Sequence, residues 1–162
     1  GKRGSEYKYK CMHLDLVKAL PVKKLANDDS LLFLWSTMPM LPNALRVMQV
    51  WGFAYKTMAF TWVKTTKNGK LAWGMGNWTR SNPELCLLGV RGKPKRVSAG
   101  VHSVVMSERG EYSEKPKEVN HRIDQLCGNV DKIELFARKK TPGWDVWGDE
   151  IDSDVKVIYD IL

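Results

Sequence analysis

Between Lys64 and Asn82 the sequence sets Trp73 and Trp78 in a stretch that is otherwise polar, glycine-rich and basic, an unusually aromatic loop. Trp78, flanked by Gly76, Asn77, Thr79 and Arg80, is the indole expected to face a ligand, whereas Trp35, Trp51 and Trp62 are expected in the core. Cations cluster at Lys64, Lys67 and Lys70, at Lys2, Arg3, Lys8 and Lys10, and at Arg91, Lys93, Lys95 and Arg96. Lys plus Arg exceed Asp plus Glu by 26 − 18 = 8, as expected of a protein that meets a polyanion. Several of these segments carry Gly and Pro, so they read as mobile loops able to follow a phosphate backbone. The same charge also describes an ordinary solvated basic surface.

Other chemistries lack their residues. Cys11, Cys86 and Cys127 form no Cys-x-x-Cys pair, and His13, His102 and His121 stand at no metal-ligand spacing, so neither a disulfide framework nor a metal is expected. No nucleophile elbow, Walker loop or His-Glu-x-x-His helix occurs. Gly74-Met75-Gly76 imitates the start of a dinucleotide fingerprint, but the third glycine is missing and no buried strand precedes it.

The elements that position such a loop follow from apolar spacing. In His13 to Leu20, Leu16, Val17 and Leu20 make one helical face that Pro21 ends. Leu31 to Trp35 is a continuous apolar run, as in a parallel strand covered on both faces, which puts Ser36, Thr37 and Pro39 at a ligand-binding strand end. A helix is expected from Pro42 to Trp51 with Gly52 as its cap, then strands over Phe53 to Val63 and Glu84 to Val90, and a shorter one over His102 to Met106. Pro116 to Cys127 reads as a helix ended by Gly128, and Lys132 to Ala137 and Gly143 to Trp147 as further strands. With 162 residues, 43% of them hydrophobic, one α/β domain spanning 1–162 is expected, with a mainly parallel sheet flanked by helices. The longest apolar run is far below the ~20 residues that cross a bilayer and no leader opens the chain, so a soluble, intracellular protein is expected.

Several blocks then agree with one family in order and spacing. Phe33-Leu34-Trp35, Trp51-Gly52-Phe53, Trp62-Val63-Lys64-Thr65, Gly76-Asn77-Trp78, Leu85-Cys86-Leu87 with Gly89, Lys115-Pro116, and Lys132 through Arg138 resemble the adenine-specific methyltransferases whose eukaryotic members write methyladenine into messenger RNA. Trp78 to Glu84 and Gly143 to Gly148 are similar to bacterial and phage members. The resemblance covers nearly the whole chain. It implies a Rossmann-like fold in permuted order, S-adenosyl-L-methionine as cofactor, and methyl transfer to the 6-amino nitrogen of adenine in DNA or RNA.

Carried over residue by residue, the resemblance gives Lys115, Phe136, Arg138, Asp149 and Glu150 to the cofactor. Lys115, ahead of a helix, would meet the methionine carboxylate, Arg138 the ribose or carboxylate, and Asp149 and Glu150 the adenosine. Many relatives have Asn where Asp149 stands. Tyr9 and Trp78 would hold the target base, with Arg80, Ser81, Asn82 and Glu84 in a target-binding loop; a base inside a duplex must be turned out or taken from a single strand. Plainer readings stand beside these: Phe136 as core, Arg138 as a surface charge, Lys115 as solvation of a helix entry.

Relatives carry Asp-Pro-Pro-Trp at the end of their first strand, and this sequence does not contain it. Residues 1–12 are similar to the loop that follows that motif, so the catalytic strand is expected upstream of Gly1, and no catalytic residue is assigned within the chain. The competing expectation is a catalytically inactive nucleic-acid-binding partner subunit, and a homodimer or a heterodimer with a related subunit is the assembly the family suggests. The compartment expected is the cytoplasm of a bacterial or phage-infected cell, or the nucleus if the source is eukaryotic.

Overall fold

The computed structural model describes residues 14–110 and 114–148. Helices α1 (Leu14–Ala19) and α2 (Val22–Leu25) open it, separated at Pro21, whose missing amide and fixed φ end the first. Strand β1 (Ser30–Ser36) follows, then a 3₁₀ turn (Met38–Met40) running into α3 (Leu41–Val50). Gly52, at φ +90°, turns the chain out of α3 as its sequence position predicted. Next come β2 (Ala54–Thr65), β3 (Glu84–Arg91), β4 (Val104–Glu108), α4 (Lys117–Cys127), β5 (Ile133–Leu135) and β6 (Asp145–Trp147).

The expectation of a mainly parallel sheet needs correction. The four-stranded sheet has the order β1-β3-β2-β4, and β3 pairs antiparallel with both neighbours. Among the described residues only β2 with β4, and β5 with β6 in a separate two-stranded sheet, pair in parallel. The cause is the connection from β2 to β3. Residues 66–83 contain no helix, so the chain returns without a crossover and must run back antiparallel. Strands β1, β2 and β4 nevertheless point the same way, with α3 as the crossover between the first two.

Both faces of the sheet are covered, as the Leu31 to Trp35 run implied. Leu32 and Leu34 pack against a cluster built on Leu20, Val47, Met48, Trp51, Phe53 and Trp147. Leu31, Phe33 and Trp35 face the opposite cluster, where Phe60, Cys86 and Val105 meet Val119 and Ile123 of α4. This alternation is the period of two of an extended strand. Gly89 lets α3 close on β3, since a Cβ there would stand 2.9 Å from the Met48 sulfur and 3.0 Å from Phe53. Buried Trp51 and Trp62 donate their indole N–H groups to the Val17 and Ser107 carbonyls, each at 3.0 Å, so neither strands a polar atom in the core. Among the described residues no helix is long and apolar enough to cross a membrane.

Candidate functional site

Because β3 runs against its neighbours, its first residues share an edge with the last residues of β1 and β2. Ser36 lies opposite Leu85, Trp62 opposite Glu84, and Lys64 beside Ser107 of β4. A cleft of about 320 Å³ opens at this edge, lined among others by Trp35, Ser36, Thr37, Met40, Glu84 and Lys115. That volume is at the lower end of small-molecule sites. Ser36 and Thr37, singled out from their place after β1, are both in its wall, and Pro39 lies in the adjoining 3₁₀ turn.

Glu84 is 6% exposed, and two lysines hold it there. Its Oε2 lies 3.2 Å from Lys64 Nζ, and its Oε1 accepts a hydrogen bond from Lys115 Nζ. A buried carboxylate is tolerable only with such partners. Two ammonium groups on one carboxylate leave a net positive charge at the cleft, which suits an anionic ligand group. Lys115 also lies 5.4 Å from the centre of the Trp35 ring. Trp35, expected in the core, packs half-buried against the second core cluster, edge-on to Trp62 with ring centres 6.1 Å apart, and also forms a wall of the cleft.

The loop between β2 and β3 is braced rather than loose. Asn82 Oδ1 accepts from the Lys64 amide at 3.0 Å, and its Nδ2 donates to the carbonyls of Lys64, at 2.8 Å, and Ala72. Asn82 therefore serves as a bracket at the loop base. Gly74 and Ser81 exchange two backbone hydrogen bonds, of 2.8 and 3.1 Å, and close a small turn that contains Trp78. Gly76 takes φ +68° in that turn, where a Cβ would run into the Thr79 carbonyl oxygen. Trp78 is fully exposed, as expected from its neighbours, and Arg80 lies over Trp73 with its guanidinium 5.7 Å from the ring centre.

Two of the cofactor candidates, Phe136 and Arg138, lie at the turn after β5. Phe136 has φ +59°, a left-handed backbone that costs a side-chain-bearing residue roughly 1–2 kcal/mol. Its ring meets Trp147 edge-on at 5.1 Å and packs into the first core cluster, so its plainer reading as core holds too. Arg138 follows, half-buried. Lys139 Nζ pairs with Glu114 Oε1 at 3.0 Å, which ties the residue after Arg138 to the residue before Lys115. Burial pushes the Glu134 carboxyl above the usual carboxylate range, partly offset by a 2.9 Å hydrogen bond from Asn120. Tyr9, Asp149 and Glu150 lie outside the described residues.

A run of neighbouring contacts thus connects the target-loop candidates to the cofactor candidates, from Asn82 through Lys64, Glu84 and Lys115 to the Glu114–Lys139 pair beside Arg138. Lys64 was expected as one cation of a basic loop and as part of one block of the resemblance, with no role assigned to its side chain. Its pairing depends on β2 and β3 being adjacent, which local spacing does not reveal.

Fold and site together define an α/β domain with a cationic cleft at its strand ends and an aromatic, basic loop beside it. Comparison with known proteins narrows this class. The MT-A70 family model matches residues 1–150. The Type II methyltransferase M.MunI of Mycoplasma sp is 36% identical over 156 residues, covering 94% of this chain and 64% of that protein. The N(6)-adenosine-methyltransferase MT-A70-like protein of Drosophila melanogaster is 32% identical over 153 residues, covering 91% of this chain and 25% of that protein. The human N(6)-adenosine-methyltransferase catalytic subunit METTL3 is 31% identical over 131 residues, 78% of this chain and 22% of its own. The chain therefore belongs to the MT-A70 family of methyltransferases, and spans less than two thirds of the length of each of these relatives.

Proposed function

We propose that the complete protein transfers a methyl group from S-adenosyl-L-methionine to the 6-amino nitrogen of adenine in DNA or RNA, using one Rossmann-like domain of permuted order. The observation that carries this reading is Glu84. A buried carboxylate at the foot of the aromatic loop pairs with Lys115, the residue proposed to meet the cofactor carboxylate. The names of the M.MunI and METTL3 relatives support the same chemistry.

The residues fit the cofactor in kind. Lys115 supplies a cation above an aromatic face, the Trp35 ring a flat wall, and Arg138, in the turn after β5, a second cation. When bound, the cofactor supplies an electrophilic methyl on sulfur. Lys115 and Arg138 would hold its anionic and hydroxyl groups, with Phe136 packed at the turn and Asp149 and Glu150 accepting from the adenosine. Tyr9 and Trp78 would stack the acceptor base, at roughly 1–3 kcal/mol per base. Arg80 would neutralise phosphate, while Ser81 and Asn82 fix the loop and Glu84 fixes Lys115. Holding both groups in line lets positioning supply most of the rate enhancement.

The test is direct. The complete gene product is incubated with methyl-labelled S-adenosyl-L-methionine and with adenine-containing DNA or RNA, and the nucleic acid is digested to nucleosides. Labelled N6-methyladenine nucleoside from either polymer is the expected result; label in neither sinks the proposal.

A further inference from the structure

The loop between β2 and β3 exposes more aromatic and apolar surface than one stacked base needs. Leu71, Trp73, Met75 and Trp78 are all exposed within a short stretch, Trp73 by 61%. Large apolar side chains exposed this close together along one loop point to a binding surface. Its charge says what binds. From residue 66 to residue 83 there is no acidic residue, whereas Lys67, Lys70 and Arg80 are all present. Arg80 is held over the Trp73 ring, with Nη1 3.4 Å from the Met75 carbonyl oxygen. A guanidinium so placed keeps further donors for a phosphate while it covers one face of the indole. Trp73 directly precedes the Gly74–Ser81 bridge and Trp78 lies in the turn which that bridge closes, so one braced hairpin carries both rings.

We propose that Trp73 and Arg80 form a second base platform, which stacks the nucleotide next to the adenine held by Trp78 while Arg80 contacts the phosphate between them. The substrate is then a single strand, or a locally opened one, with two successive bases unstacked. This rests on the reading above that Trp78 meets the acceptor base. A second copy of this chain is a poor occupant, since its net charge of +8 would face a loop that is itself cationic.

The experiment is fluorescence anisotropy of the complete gene product with single-stranded oligonucleotides carrying one target adenine, either intact or with an abasic site on its 5′ or 3′ flank. Trp73→Ala should weaken binding of the intact strand by on the order of 5- to 150-fold, the worth of one stacked base. One of the two abasic strands should weaken binding to the unaltered protein by a similar factor and cost Trp73→Ala little more. Trp73→Phe should retain most of the affinity. If Trp73→Ala fails to fold, the abasic series on the unaltered protein and Trp73→Phe still decide. The platform is refuted if Trp73→Ala binds like the unaltered protein, if neither abasic flank matters, or if the substitution only shifts a dimer to a monomer in sedimentation. Loss of binding on Trp78→Ala but not on Trp73→Ala removes this proposal alone, whereas no binding of any strand by the unaltered protein removes the proposed function as well.

Discussion

Lys115→Met separates the binding role of Lys115 from its structural one. The ammonium group reaches the cleft from just ahead of α4, with its side chain 28% exposed, and hydrogen-bonds Glu84. Removing it does not leave Glu84 alone, because Lys64 stays 3.2 Å away. The fold should therefore lose about 1.5–3 kcal/mol, the worth of one charged hydrogen bond, and less than a buried pair broken outright. A charge-assisted hydrogen bond to a ligand carboxylate is worth about 1.5–3 kcal/mol, so S-adenosyl-L-methionine should bind roughly 10- to 150-fold more weakly. Isothermal titration calorimetry on the complete gene product measures this, and methylthioadenosine, which has the nucleoside but no carboxylate, provides the control. The control ligand should bind the variant and the unaltered protein alike. Equal weakening for both ligands, or for neither, refutes the assignment of Lys115 to the carboxylate.

Three further outcomes follow from the geometry. Gly76→Ala must adopt a left-handed backbone and meet the Thr79 carbonyl, so the turn carrying Trp78 shifts; oligonucleotide affinity should fall at least tenfold while the melting temperature, set mainly by the two core clusters, falls by only about 2–8 °C. Glu134, whose carboxyl is raised by burial, binds its proton more tightly folded than unfolded, so its contribution to stability declines as pH rises from the ordinary carboxylate value through the raised one. Glu134→Gln keeps an acceptor for Asn120 and should flatten that part of the pH–stability curve, measured by urea denaturation; an unchanged slope contradicts it. Burial pushes the Cys86 thiol up to about 12, so it should resist maleimide at pH 8 and label only as the protein unfolds, read by mass spectrometry of the Cys86 peptide.

Much of this architecture is legible locally. Pro21 and Gly52 mark helix ends, and Gly128 at φ +72° ends α4, because fixed or positive φ is a property of a single residue. Pro116 was expected inside the first turn of α4 but sits just before it, one residue from its predicted place. The exposure of Trp78 was readable from its polar neighbours. The direction of β3 was not, since it depends on residues 66–83 making a braced hairpin instead of a crossover, through Asn82 contacts far apart in sequence. For the same reason the Lys64–Glu84–Lys115 cluster was out of reach: its members are separated by 20 and 31 residues and meet only when the strands pair. The second role of Trp35, as a wall of the cleft, was hidden because a strand end that packs on Trp62 and also lines a cleft has the same composition as core.

On the proposed function, donor and acceptor meet at the edge where Glu84 joins the loop to Lys115. A bisubstrate ligand, with the adenine 6-nitrogen linked covalently to the methionine portion of the cofactor, measures this most directly by calorimetry on the complete gene product. It should bind more tightly than S-adenosyl-L-methionine alone, with the gain lost in part on Lys115→Met and in part on Trp78→Ala. Binding no tighter than the cofactor, and indifferent to Trp78, contradicts this meeting of donor and acceptor.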